Sequence, residues 1–268
     1  MKGLEGKVAA VTGAASGLGR AMARAFAAEG MRVAMADVDE KGLQALALPG
    51  FGMRVDVSKA DEVEAFAART VAELGGVHVV CNNAGVALTG AVWENTALDW
   101  EWILGVNLRG VVNGVRAFTP RLIAQDEGHV VNTASVAGLI SPPGMGAYCV
   151  SKHAVVALSE ALHHDLRERG SKVGVSVLCP AYVPTGIAQS DRNRPRELGT
   201  SMRTPKDLML QKAVSSGKLS ADDVAQAVVA AVKAQRFYIL THPAIKGAVR
   251  ARMEDVLEER APRDPLRL

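Results

Sequence analysis

Between Val8 and Asp37 an apolar run, a glycine-rich turn, a helical stretch and a second apolar run follow one another, and that order leaves few folds open. Val8-Ala-Ala-Val-Thr12 reads as a buried strand, Gly13-Ala-Ala-Ser16-Gly17-Leu18-Gly19 as the turn, and Arg20 to Glu29 as a helix with Ala21, Ala25 and Phe26 inward. Glycine permits positive φ and lets backbone amides at a helix N-terminus approach a pyrophosphate, whose charge the helix dipole favours. The spacing Gly-x-x-x-Gly-x-Gly differs from the usual dinucleotide fingerprint, so the flanking strand and helix give it its weight. The second strand, Met31 to Asp37, ends in a carboxylate where an acidic residue would receive the adenosine ribose hydroxyls. A 2′-phosphate within about 4 Å of Asp37 would meet repulsion of a few kcal/mol, and neither Ala15 nor Val38 supplies a cation. NAD is therefore favoured over NADP, although Arg20 and Lys41 are near enough in sequence to weaken the preference.

The alternation continues. Phe51 to Val55 gives a strand ending at Asp56, Lys59 to Leu74 a helix, and Val77 to Cys81 a strand ending in Asn82-Asn83-Ala84-Gly85. Ligands bind at the carboxyl edge of open parallel sheets, so Asp56 and Asn83 are placed for adenine and ribose, or serve as turn-formers. A helical segment from about Ala97 to Ala124 contains Asn107, whose amide needs buried partners, either backbone carbonyls or an ordered water. Trp100 and Trp102 at its start read as packing or subunit contact. Gly128 to Ala134 is the next strand and delivers Ser135 to the same edge; Lys172 to Cys179 follows, ending in Pro180-Ala-Tyr-Val-Pro-Thr185.

Tyr148 and Lys152 stand one turn apart on a single face of the helix predicted over 146–169. A free phenol is a poor acid or base at neutrality, and an adjacent ammonium is expected to pull its pKa down. Ser135 would donate to the same reacting oxygen if the intervening loop folds back.

Composition narrows the function classes. The 268 residues fit one α/β domain, with 49% hydrophobic and 22% charged residues and no repeat or linker. A net charge of +3, from 31 basic and 28 acidic residues, argues against nucleic acid as a partner. Cys81, Cys149 and Cys179, without CxxC spacing, are expected to be free thiols, as in a cytoplasmic protein. No apolar stretch approaches a membrane span, and none of the six histidines has metal-ligand spacing.

From about Gly6 to Leu240 the chain resembles the short-chain dehydrogenase/reductase family. The resemblance rests on Thr12 to Gly19, Asn82 to Gly85, Asn107, Ser135, the Tyr148-Cys-Val-Ser-Lys152 pair and Pro180 to Thr185. It implies a doubly wound, seven-stranded parallel sheet of Rossmann type, a nicotinamide cofactor, and reversible hydride transfer between an alcohol and a carbonyl. It implies Tyr148 as general acid/base, Lys152 lowering its pKa and holding the nicotinamide ribose, Ser135 polarising the substrate oxygen, and Asn107 positioning a water. Cofactor contacts would come from Gly13, Ser16, Gly17, Leu18, Gly19, Asp37, Asp56, Val57, Asn83, Ala84, Gly85, Tyr148 and Lys152, with Val183 and Thr185 at the carboxamide. The family usually has glycine after the proline, where this chain has Ala181. Trp102 to Asn107 and an arginine-rich lid look similar to bacterial members that oxidise benzylic alcohols of lignin-derived aryl ethers.

The lid is expected over about 186–218, its arginines 192, 194, 196 and 203 forming solvated surface or meeting an anionic substrate. A helix from Ala221 to Ala234, a strand from Arg236 to Leu240 and a final amphipathic helix over about 243–260 complete the chain. The stripe Val249, Met253, Val256 and Leu257 is expected to bury itself over the cleft or against another subunit. The leading expectation is an NAD-dependent alcohol dehydrogenase or ketone reductase for a moderately bulky apolar or aromatic substrate, assembled as a homodimer or homotetramer. The alternative is a non-catalytic NAD(H)-sensing protein that kept the fold.

Overall fold

The computed structural model describes residues 1, 3–200 and 204–267. In chain order its elements are β1 (Val8–Thr12), α1 (Gly17–Ala28), β2 (Arg32–Asp37), α2 (Glu40–Gln44), β3 (Gly50–Arg54), α3 (Ala60–Leu74) and β4 (Val79–Asn82). They continue as α4 (Ala97–Leu104), α5 (Gly110–Ala124), β5 (His129–Thr133), α6 (Gly146–Glu168), β6 (Gly174–Leu178), α7 (Pro205–Ser215), α8 (Ala221–Ala234), β7 (Tyr238–Ile239) and α9 (Ile245–Leu257).

The seven strands form one sheet in the order β3-β2-β1-β4-β5-β6-β7, and every pairing is parallel. Strands buried on both faces tend to read as apolar runs; β1 and β4 to β6 are buried at every position, β4 to β6 with polar residues such as Asn82, His129, Asn132 and Ser176 among the apolar ones. Alternate β1 residues feed opposite layers. Ala9 and Val11 pack with α1 and α8, while Val8 and Ala10 pack with α3, α5 and α6 around Phe66 and Phe118. The order of strands reverses between β1 and β4, and at such a switch the carboxyl ends diverge to leave a crevice.

Two elements depart from the sequence expectation. The segment expected as one helix over 97–124 is broken by a π-helical turn, Gly105–Arg109, which contains Asn107. The apolar stripe of α9 is largely exposed: Met253, Val256 and Leu257 face solvent, and the one buried residue of the helix is Asp255, held by Arg263 at 2.8 Å. In the stretch expected as a lid, the described residues form two 3-10 segments, Gly186–Asn193 and Arg196–Leu198, and α7.

Candidate active site

The glycine turn closes because two positions admit no side chain. Gly13 has φ +67°, and a Cβ there would lie 2.8 Å from Ala84 Cα; a Cβ on Gly19 would lie 2.0 Å from the Gly13 carbonyl oxygen. Ser16 precedes α1 without capping it through its side chain, so the first amides of the helix are left for another acceptor. Asp37, at the end of β2, accepts from the amides of Ala15 at 2.9 Å and Asp39 at 3.0 Å. Thr12 Oγ1 accepts from the amides of Asn83 (2.9 Å) and Ala84 (3.1 Å), pinning the Asn82-to-Gly85 loop to β1. The Asn83 side chain is itself committed: it donates to the Thr12 carbonyl at 3.0 Å and accepts from Thr133 Oγ1 at 3.3 Å. Asp56 accepts from the Ser58 amide and hydroxyl.

Ser135 follows β5; its hydroxyl donates to the Pro180 carbonyl at 3.3 Å and accepts from the Ala137 amide at 3.1 Å, and it lines the same cleft as Tyr148. The loop between them therefore does fold back. Tyr148 differs from the sequence expectation in its acidity. Burial pushes the phenol up to about 12, with the nearby Ser135 hydroxyl opposing. Lys152 does not correct this: its ammonium donates to the Thr133 carbonyl at 2.9 Å and lies 5.8 Å from the Tyr148 ring centroid. Burial also lowers the lysine itself, to about 8. The one-turn spacing does place both groups on one face, but the nearest acceptor for the ammonium is a strand carbonyl.

Asn107 is fully buried, and the π-helical turn aims its amide at Val86. Its Oδ1 accepts from the Val86 amide at 2.8 Å; its Nδ2 donates to the Val86 carbonyl at 2.9 Å and to Ser151 Oγ at 3.0 Å. Ser151, which the sequence did not single out, donates a hydrogen bond to the Tyr148 carbonyl at 2.7 Å. A helical i, i+3 serine next to the tyrosine was the available signal. A Cβ built on Gly85 would sit 3.4 Å from both Asn107 Oδ1 and Lys152 Nζ, so these groups converge on one point.

One cleft of about 650 Å³ joins these parts. Of the residues singled out by sequence, Gly13, Ser16, Gly17, Leu18, Asp37, Asp56, Val57, Asn83, Ala84, Gly85, Ser135, Tyr148, Lys152, Val183 and Thr185 line it; Gly19 and Asn107 stand behind its wall. Trp102, expected as packing or subunit contact, is both 3% exposed and part of the cleft wall. Ile140, Pro142, Met145, Leu198 and Leu210 add apolar surface to the lining of the cleft. Among the lid arginines, Arg192 is bonded to the carbonyls of Gly186 and Gln189, Arg194 is buried against Asp99, and Arg196 is exposed. Arg203 lies outside the described residues. All three cysteines are free and buried, and no helix among the described residues is long and apolar enough to cross a membrane.

Residues 7–196 match the family model described as short chain dehydrogenase, a class of oxidoreductases. The chain belongs to that family. It is similar to a short chain dehydrogenase/reductase from Burkholderia phymatum solved in complex with NAD, at 50% identity and TM-score 0.96 over 99% of both chains. It is 30% identical to the C alpha-dehydrogenase of Sphingobium sp. strain SYK-6, over 98% of this chain and 89% of that protein. The CLA biosynthesis dehydrogenase/reductase of Lactiplantibacillus plantarum is 32% identical, over 98% and 97%. The resemblance to bacterial benzylic alcohol dehydrogenases thus extends through nearly the whole chain.

Proposed function

We propose that the chain is an NAD(H)-dependent dehydrogenase or reductase acting on secondary alcohols and ketones with a moderately bulky apolar or aromatic substituent. The observation that carries this reading is that Ser135, Tyr148 and Lys152 line one cleft with the glycine turn and with apolar side chains such as Ile140, Met145 and Leu198.

The residues fit a nicotinamide dinucleotide. The uncapped start of α1 and the turn Gly13 to Gly19 suit its pyrophosphate, Asp37 its adenosine ribose, and Asp56 with Val57 its adenine. Asn83, its side chain spent, has its backbone to offer along with Ala84 and Gly85. Buried Lys152 has three donors, of which the Thr133 carbonyl takes one, so it suits ribose hydroxyls beside Tyr148. Val183 and Thr185, on the wall of the same cleft, would hold the carboxamide. When bound, this cofactor accepts a hydride from the alcohol carbon or returns it to the carbonyl carbon. Ser135 orients the substrate oxygen, and Tyr148 moves its proton. With the phenol held up near 12, the site keeps Tyr148 neutral, the form that donates to a carbonyl oxygen. Asn107 acts one step back: by clasping Val86 and Ser151 it fixes the backbone from which Tyr148 projects. The side chain of Asn107 thus supports the loop, and any water it positions would have to meet its backbone or this network.

Asp37 supports NAD over NADP, since a 2′-phosphate beside its carboxylate would meet a like charge. Exposed Trp93 and Val150 accord with assembly as a homodimer or homotetramer, and the buried free thiols with a cytoplasmic location. The sensing alternative is not favoured, because Ser135, Tyr148 and Lys152 share one cleft with the dinucleotide residues.

A panel of secondary alcohols graded in size, offered with NAD or NADP and followed by absorbance of the reduced cofactor, tests the reading. NAD-linked turnover highest for aryl alcohols is the expected result. No turnover of any alcohol or ketone by protein shown to bind NADH would reject it.

A further inference from the structure

The arginine-rich lid contains one arginine that has left the solvent. The Arg194 side chain is 4% exposed and donates to Asp99 Oδ1 at 2.6 Å; the Asp99 side chain is 5% exposed. A second guanidinium nitrogen donates to the Leu198 carbonyl at 2.9 Å, and the group lies 5.0 Å from the ring centroid of Trp102. Asp99 is engaged on its other oxygen too, accepting from the Thr96 amide (2.9 Å) and hydroxyl (2.8 Å) at the start of α4. Its carboxyl stays below the usual range because these hydrogen bonds and Arg194 outweigh the burial that would raise it. Desolvating such a pair costs about as much as its attraction returns, so stability alone is a weak reason for its presence.

Its placement supplies a better one. Trp102 and Leu198 both border the cleft, and both pack in the apolar cluster that includes Tyr148. We infer that Arg194 is a specificity-determining positioning residue: it ties the lid to α4 and holds Trp102 and Leu198 as one wall of the substrate pocket, shaping it for a flat, apolar substituent. The arginine is a strut and not a receptor for an anionic substrate, because Asp99 already answers its charge. This inference rests on the alcohol/ketone reading given above.

Three variants test it: Arg194→Met; Arg194→Met with Asp99→Asn, which leaves no unpaired charge and keeps an acceptor for Thr96; and Arg194→Lys, which keeps the charge without the planar stack. For each, NADH affinity, kcat and KM are measured with a bulky aryl secondary alcohol and with a small alkyl one. NADH affinity within about twofold of the parent is expected, since no cofactor residue is touched. The aryl-to-alkyl ratio of kcat/KM should fall about tenfold or more in the Met variants, mainly through KM for the aryl alcohol, and less in the Lys variant. A ratio unchanged within about twofold in the folded double variant overturns the inference; should that variant not fold, an unchanged ratio in Arg194→Lys does so. Tryptic cleavage of the lid after Arg192 or Arg196 provides a readout independent of turnover, and acceleration is expected in the Met variants. If the parent protein oxidises no alcohol, the functional reading fails on its own, and unaltered lid cleavage would then overturn the strut.

Discussion

Asn107 holds Val86 at both ends of its backbone, accepting from the amide at 2.8 Å and donating to the carbonyl at 2.9 Å. The π-helical turn makes this possible, since an extra residue in the helix swings the amide toward the loop after β4. Replacing Asn107 by Ala would strand two buried backbone groups and the Ser151 hydroxyl. A loss of about 2–4 kcal/mol in urea unfolding is expected, from the cost of buried unsatisfied groups. Turnover should fall as well, because Ser151 bonds the Tyr148 carbonyl. Stability within about 0.5 kcal/mol of the parent would show that the clasp is not a support.

The acidity of Lys152 gives a pH signature in cofactor-free protein. Its pKa is lowered from 10.5 to about 8 by burial. Between those values the folded protein binds fewer protons there than the unfolded chain, so stability rises with pH over that window. Below about pH 8 the lysine is charged in both states, and its burial penalty is constant. Tyr148, raised from 10.0 to about 12 by burial, acts in the opposite sense above pH 10. Denaturant titrations from pH 8 to 10 should show a rise in parent stability of about 2 kcal/mol relative to Lys152→Met, which has no such charge to shed. Parallel profiles for the two proteins would mean that the ammonium is not desolvated.

Cofactor preference is tested at Asp37. Asp37→Ala removes the carboxylate and with it the acceptor for the amides of Ala15 and Asp39. The ratio of kcat/KM with NADP to that with NAD should rise about tenfold or more, equivalent to about 1.4 kcal/mol. An unchanged ratio would place discrimination elsewhere, with the neighbouring Arg20 and Lys41 as the first residues to examine.

Local patterns carried the parts of the molecule that local physics determines. Strands buried on both faces announce themselves as apolar runs, and the glycine turn, Asp37, Ser135 and Tyr148 each sit at a strand end or helix start that the pattern locates. Long-range partners were not legible. Asn107 is recognisable as a buried amide in need of partners, but Val86 lies 21 residues away and the π-helical turn leaves no mark in the periodicity. Arg194 looks like one charge in a solvated run because its neighbours are polar; its carboxylate is 95 residues distant. The i, i+4 spacing of Tyr148 and Lys152 suggested that the ammonium serves the phenol, whereas a carbonyl brought alongside by β5 takes it. The apolar stripe on α9 stays largely exposed and the helix buries Asp255 instead, because arginines of the following segment reach back to it.

The account stands most directly on Tyr148→Phe. The variant keeps the ring and loses the hydroxyl, so fold and NADH affinity, read by thermal unfolding and by fluorescence titration, should stay within about twofold of the parent while kcat for the best secondary alcohol falls at least ~100-fold. Near-parent turnover by a folded, NADH-binding Phe variant would contradict it, since the proton would then be travelling by a route that does not pass through Tyr148.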